Sequence, residues 1–210
     1  MNINQVARLL NKVNIKTISG ENFIEEYHEQ GENYYKVEKK DREWFFSFVK
    51  GERKTEEEEE IKETFDNEQD ASKYYYLIEL SKRYHNKYIY KFQMNNEDIN
   101  IGEYECSLNN LKGAFERIGV KDIYYNFNNF IKEHSICLEK IDNETSRVKF
   151  IGNYNKVIIQ TLKLENWLAY YTMYRRVYAL FLLDKHCELL IKAGEIDKTF
   201  TDEEYSIFIK

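Results

Sequence analysis

Two pairs of histidine and cysteine are the residues whose types could bind a metal ion. His134 and Cys137 are spaced as H-x-x-C, and His186 and Cys187 are adjacent. A structural zinc ion needs four nitrogen or sulfur ligands in a tetrahedral arrangement. Residues three apart on a strand point to opposite faces, and neighbours on a helix diverge by about 100°. The spacing therefore favours a surface histidine and a core cysteine in each pair, and we expect neither a metal nor a cofactor.

Covalent catalysis and nucleotide binding lack the motifs that they require. Cys137 and Cys187 lie in apolar runs, where burial raises the pKa of a thiol and keeps it unreactive. The sequence contains no G-x-S-x-G motif, and its eight glycines are isolated, whereas phosphate-binding loops use closely spaced glycines. We therefore expect that the protein is not an enzyme. An enzyme whose site has no recognisable motif stays open as an alternative.

Carboxylates are in excess in the first half of the chain. Residues 1–104 contain 16 Lys and Arg against 22 Asp and Glu, whereas residues 105–210 contain 15 of each. This surplus disfavours nucleic acid, whose phosphates require cations, and favours a basic protein partner. A solvated face, or a charged hairpin loop held in water by like-charge repulsion, is the plainer interpretation of the same residues. The residues that we expect to contact a partner are Glu25, Glu26, Glu29, Glu32, Trp44, Glu56, Glu57, Glu58, Glu59 and Glu60.

Apolar spacing in the first half predicts a helix, three strands and a second helix. In the second of these strands, alternation places Trp44, Phe46 and Phe48 on one face. The predicted elements are, in chain order, a helix at 3–13 capped by Asn2, a strand ending at Lys39-Lys40, a turn at Asp41-Arg42, a strand at 43–49, a charged loop at 50–60, a strand at 61–65 and a helix starting after Asp66 or Asn67.

The same order of elements begins again after the polar segment 95–105. The second half is predicted to contain a helix capped by Ser107, strands at 122–127 and 135–141, two further strands at 147–152 and 156–164, a long buried helix from about Glu165 and a short helix at 203–209. The prediction is an α+β fold of two similar helix–antiparallel sheet–helix halves: module 1–94, linker 95–105 and module 106–210. A single irregular α+β domain is the alternative.

The chain has the features of a cytoplasmic protein. It lacks an uncharged apolar run of about 18 residues, so we expect no membrane-spanning helix. Its first residues show no basic start followed by an apolar segment, as a secretory signal would. Three cysteines are too few and too scattered for a disulfide framework.

The run from Tyr35 to Leu80 resembles a known family. A strand and a turn lead to the aromatic strand Glu43-Trp44-Phe45-Phe46-Ser47-Phe48. A charged loop follows, and a Tyr-rich helix then begins with a phrase made of Phe65-Asp66-Asn67-Glu68, two further residues and Ala71. This arrangement is similar to that of small immunity proteins of bacterial polymorphic toxin systems. The stretch from Leu138 to Leu183 has the same order, but Leu164-Glu165-Asn166-Trp167 replaces the phrase.

The resemblance implies a cytoplasmic inhibitor that occludes the active surface of a cognate toxin, often a basic nuclease. It implies no catalytic residues. We therefore predict an immunity or antitoxin protein whose partner is a basic toxin domain and which binds neither nucleic acid nor membrane. A non-catalytic interaction or regulatory module of a phage or mobile element is the first alternative, and the enzyme considered above is the second.

Overall fold

The computed structural model describes residues 1–51, 58–127 and 131–210, which form two compact units, Met1–Arg83 and Tyr84–Lys210. Each unit contains helices and one sheet, and the predicted α+β class is confirmed. Residues 95–105, the predicted linker, lie within the second unit. Residues 84–94 also belong to that unit, and the Tyr174 hydroxyl donates a hydrogen bond of 2.7 Å to the carbonyl of Ile89.

The first unit is an antiparallel meander with a helix at each end of its chain. Its strands lie in the sheet in chain order, each paired with the next. The elements are α1 (Ile3–Lys12), β1 (Thr17–Ser19), β2 (Phe23–Glu26), β3 (Tyr34–Lys40), β4 (Glu43–Lys50), β5 (Glu58–Phe65) and α2 (Glu68–Tyr84).

Local signals fix several of these elements where the sequence predicts them. The side chain of Asn2 accepts the backbone N–H of Gln5 and so caps α1. Asp41 has a positive φ of 56°, which suits the two-residue turn between β3 and β4. Asn67 Oδ1 accepts the backbone N–H of Asp70 at 2.9 Å at the start of α2. β1 and β2 were not predicted, because each is short and their pairing has no local signature.

The start of β5 differs from the prediction. Glu58, Glu59 and Glu60 were expected in a charged loop, but they are the first three residues of the strand. They pair with Lys50, Val49 and Phe48 of β4. The loop prediction was wrong here because tertiary pairing with β4 overrides the low strand preference of glutamate.

Aromatic side chains form the core between α2 and the sheet. Phe46 lies opposite Val37, and Phe48 opposite Tyr35, so the predicted face of β4 is confirmed. The ring of Phe46 lies 5.2 Å from that of Tyr35 and 5.0 Å from that of Tyr74 on α2. Aromatic pairs of this kind add to the hydrophobic stabilisation that their burial provides.

In the described part of the second unit, five strands also lie between helices, but their connections are different. Within it lie a π-helical turn (His85–Tyr90), α3 (Lys91–Met94), α4 (Leu108–Ile118), β6 (Tyr125–Phe127), β7 (Ser135–Lys140), β8 (Thr145–Ile151), β9 (Val157–Gln160), β10 (Leu164–Glu165), α5 (Asn166–Lys192) and α6 (Asp202–Ile209). Its sheet runs β10-β8-β7-β6, and β9 also pairs with β8. β6 and β7 are parallel, whereas every pair in the first sheet is antiparallel. The two units therefore share an order of elements but not a strand topology.

Helix α5 is the centre of the second unit. It packs against β7, β8, α4 and α6 and buries residues on several sides, as its nearly continuous apolar sequence predicts. Ser107 and Thr201 form the predicted caps of α4 and α6. Among the described residues, no helix has both the length and the apolar character needed to cross a membrane.

Candidate functional site

Glu26, one of the predicted contact residues, is part of an internal ionic cluster. It ends β2 and accepts hydrogen bonds of 2.9 Å from both Lys82 Nζ and the backbone N–H of Tyr35. Lys82 also donates to Glu79 at 2.7 Å and lies 3.8 Å from the centre of the Tyr35 ring. The cluster joins α2 to β2 and β3, so it accounts for Glu26 without a partner protein.

The two carboxyl groups of this cluster share a proton. Burial, followed by the hydrogen bond to Glu26, raises the pKa of Glu79 to about 8, because an ionised Glu79 would be both desolvated and next to another anion. Burial also acts to raise the pKa of Glu26, but hydrogen bonds from Glu79, Lys82 and Tyr35 outweigh it and leave that pKa lowered. At neutral pH Glu79 is therefore the protonated donor and Glu26 the ionised acceptor.

Trp44 lies in the core of the first unit. Only 5 % of it is exposed, so its ring is committed to internal packing. Sequence alternation placed it correctly on the aromatic face of β4, but period-two alternation does not tell which face of a strand is covered. A partner could not use this ring as an anchor without disturbing the core.

Glu29 and Glu32 lie in an exposed turn that the structure brings near the start of β5. The backbone N–H of Glu29 donates to the Glu32 carboxylate at 2.9 Å. The backbone of Glu32 packs directly against Gly51, which follows the residue of β4 that pairs with Glu58. Glu25 is half-buried in β2, with its carboxylate 3.8 Å from His28 Nε2. The turn and the start of β5 therefore lie at the same end of the sheet.

Strand β5 is an open, acidic edge of the first sheet. It pairs with β4 along one side, and no strand of the described chain pairs with its other side. Its residues Glu58 and 60–64 are exposed, and Ile61 is 52 % exposed. We call the residues Glu58, Glu60, Ile61 and Glu63 the acidic edge. Glu56 and Glu57, which were also predicted to contact a partner, lie outside the described residues.

Lysines balance only part of this charge. Glu58 pairs with Lys50 at 3.2 Å, and Glu60 pairs with Lys62. Glu59 points to the other face of the strand, where it binds Lys40 at 2.7 Å and Lys36 at 3.3 Å. These hydrogen bonds and charges lower the pKa of Glu59 although its burial opposes them. Glu59 therefore stabilises the sheet, whereas the acidic edge faces outward with a surplus of negative charge.

One cavity of the second unit contains residues that no sequence motif reveals. It has a volume of about 340 Å³ and is lined by His134, Asp184, Cys187, Glu188, Phe200, Tyr205 and neighbouring residues. His134 Nε2 lies 3.0 and 3.1 Å from the two carboxylate oxygens of Asp184. The Tyr205 hydroxyl donates to the same carboxylate, and the Tyr205 ring lies 4.6 Å from the imidazole.

The Asp184 carboxylate fixes the orientation of the histidine. The contact leaves Nδ1, the other ring nitrogen, outside the hydrogen bond to Asp184. His134 also has a positive φ of 51°, which is uncommon outside glycine. Fifty positions separate His134 from Asp184 in the sequence, and no local sequence pattern joins them.

Both cysteines of the two sequence pairs are buried. Burial, together with the nearby carboxylates of Asp184 and Glu188, raises the pKa of the Cys187 thiol, as its apolar surroundings predicted. Cys137 is buried in β7.

His186 was expected on the surface but is buried. Its Nδ1 lies 2.8 Å from the Tyr84 hydroxyl, and burial lowers the pKa of His186 to about 4. Within the described ranges, no three His, Cys, Asp or Glu side chains are placed to hold a metal ion.

Comparisons of the chain with protein-family models, with curated proteins and with solved structures give no match.

Proposed function

We propose that this protein is a non-catalytic, cytoplasmic inhibitor of the immunity or antitoxin kind, which neutralises a cognate basic toxin by covering its active surface. The observation that carries the proposal is the acidic edge on β5, an exposed strand whose outer side has no partner among the described strands. The resemblance of residues 35–80 to immunity proteins points in the same direction.

Charge favours a basic protein as the partner. The first unit contains 14 Lys and Arg against 19 Asp and Glu, a net of −5, whereas the second unit has a net of −1. Negative charge repels nucleic-acid phosphates and attracts basic proteins, and complementary fields raise association rates by about 10- to 1,000-fold. An inhibitor that must capture its target quickly benefits from this steering.

The test is co-expression and co-purification with the product of the adjacent open reading frame. We expect a complex that protects cells from that product and whose association rate falls at least about tenfold when the salt concentration rises from about 50 to 500 mM. The triple substitution Glu58→Lys, Glu60→Lys and Glu63→Lys should slow association by a similar factor, because it reverses the charge of the acidic edge.

A triple substitution in the second unit provides the matched control. Glu103→Lys, Glu116→Lys and Glu203→Lys make the same change in net charge at exposed positions, and we expect them to leave the association rate within about twofold. Equal effects of the two triple variants would show that total charge, and not the acidic edge, determines binding. Failure of the neighbouring product to bind would contradict the proposed inhibitor.

The cavity at His134 favours a second candidate function, an enzyme or ligand-binding protein. His134 held by Asp184 has the arrangement of a general base oriented by a carboxylate. The test is a small-molecule screen by NMR with His134→Gln as the control variant. Compounds that shift the amide signals of His134, Asp184 and Tyr205 in the parent protein but not in the variant would support this candidate over the inhibitor.

A further inference from the structure

We propose that the partner binds by adding an extended segment with alternating basic side chains as a sixth strand on the open side of β5. This inference rests on the proposed function and specifies how the acidic edge is used. In this mode, backbone hydrogen bonds supply affinity and side chains on alternate residues supply specificity.

β5 has the geometry that strand addition requires. Its eight residues are long for an edge strand, and an edge strand presents one row of N–H and C=O groups that its own sheet does not use. The opposite edge of the same sheet is β1, which has only three residues and contacts α1. Of the two edges, β5 is therefore the one with room for another strand.

The ladder indicates where the added strand begins. From Glu58 to Ile61, the residues of β5 pair with those of β4 in a regular register. The register shifts at Lys62, which lies between Ile61, the partner of Ser47, and Glu63, the partner of Phe46. A bulge twists a strand and interrupts regular pairing. We therefore place the first hydrogen bonds of the added strand along Glu58–Ile61, where the exposed side chain of Ile61 offers it an apolar contact.

Charge determines which strand can occupy this position. A second copy of β5 would place its own glutamates against Glu58, Glu60 and Glu63, and like charges on neighbouring strands are destabilising. A strand with Lys or Arg at alternate positions would instead pair with these carboxylates. The acidic edge thus disfavours a second copy and favours a basic partner.

The experiment uses the full-length protein and two synthetic peptides. The first is an alternating Lys-Val peptide about as long as β5, and the second contains the same number of lysines in Lys-Pro-Pro repeats. The second peptide adopts the polyproline II conformation and cannot form a ladder, because proline lacks the backbone N–H. Amide hydrogen exchange is measured by NMR for each residue of β5, with and without each peptide.

We expect the Lys-Val peptide to slow exchange at least tenfold at those β5 amides that point away from β4 and exchange freely in the protein alone. The Lys-Pro-Pro peptide should give no such protection. Replacement of Glu58, Glu60 and Glu63 by Gln should weaken binding of the Lys-Val peptide about tenfold, whereas Glu103→Gln, Glu116→Gln and Glu203→Gln should not.

Three results would overturn strand addition. The first is binding of the Lys-Val peptide without protection of the β5 amides, and the second is equal binding of both peptides. The third is protection of β5 that appears when the protein alone is concentrated, because this would indicate that a second copy of the chain occupies the edge. Any of these can occur while the neighbouring gene product still binds in a salt-dependent way. The proposed function would then stand, and only the mode of binding would be rejected.

Discussion

Glu79 is only 3 % exposed, and its protonated carboxyl group lies beside the ionised carboxylate of Glu26. The folded protein keeps this proton to about pH 8, whereas an unfolded chain loses it near 4.5. The folded state therefore binds more protons between these values, and the contribution of Glu79 to the free energy of unfolding falls as the pH rises through this interval. The contribution of protonated Glu79 to the α2–β2 contact is therefore complete below about pH 4.5 and is lost by about pH 8.

Glu79→Gln should flatten this dependence. A glutamine amide can still donate to Glu26 and accept from Lys82, but it carries no ionisable proton. We expect the free energy of unfolding of the first unit to stay level from pH 5 to 8 in the variant, whereas that of the parent falls by on the order of 2 kcal/mol. Urea unfolding at several pH values, followed through Trp44 in a Trp167→Phe background, measures this free energy. Glu43→Gln, at an exposed position, should leave the slope unchanged; a parent protein without a slope would contradict the shared proton.

At the scale of elements, the end of β4 holds the turn that carries Glu29 and Glu32. A Cβ atom at Gly51 would overlap the backbone of Glu32, and the Gly51 N–H donates to Asn33 Oδ1 at 3.0 Å. Backbone cannot move aside as cheaply as the end of a flexible side chain. The close approach of this turn to β4 therefore requires glycine, and it fixes the turn beside the start of β5.

Gly51→Ala should destabilise the protein by about 2 kcal/mol, through overpacking against the turn. Gly113 is the matched control, because it lies within α4 and a Cβ atom added there would meet open space. Gly113→Ala should stabilise the protein by about 0.5–1 kcal/mol, since alanine has a higher helix propensity. Chemical denaturation of both variants measures the two effects, and a harmless Gly51→Ala would show that the turn is not held by this contact.

At the scale of the whole molecule, the two units contain buried ionisable groups with opposite responses to pH. In the second unit, His186 has a pKa of about 4, below its ordinary value of 6.5. The unfolded chain binds more protons than the folded state between these values, so the contribution of His186 to stability falls as the pH drops from 6.5 to 4. Glu79 in the first unit has the reverse dependence.

The two tryptophans allow each unit to be followed separately, because Trp44 lies in the first and Trp167 in the second. Trp167→Phe leaves Trp44 as the probe, and Trp44→Phe leaves Trp167. We expect unfolding of the first unit to become easier from pH 6 to 8.5, and unfolding of the second to become easier from pH 6.5 to 4.5. Fluorescence-monitored urea unfolding measures both, and identical pH trends for the two probes would contradict the prediction.

The sequence by itself determined those features that depend on neighbouring residues. Asn2, Ser107 and Thr201 cap helices because a cap needs only the first turn, and alternation in β4 sorted Phe46 and Phe48 onto one face. The α+β class and the absence of a membrane-spanning pattern also follow from periodicity and run length. Each of these signals acts over a few residues and can be recognised without knowing what lies across the fold.

Only the tertiary structure decided which acids face outward and which distant residues meet. Glu26 is drawn into the cluster with Lys82, 56 positions away, while Glu58 is fixed in a strand by its pairing with β4. The parallel pairing of β6 with β7 and the contact of His134 with Asp184 likewise join segments with no shared local pattern. The physical reason is that burial and strand pairing depend on the packing of the whole chain. The same residue type is therefore a buried proton donor at Glu79 and part of an exposed strand edge at Glu58 and Glu60.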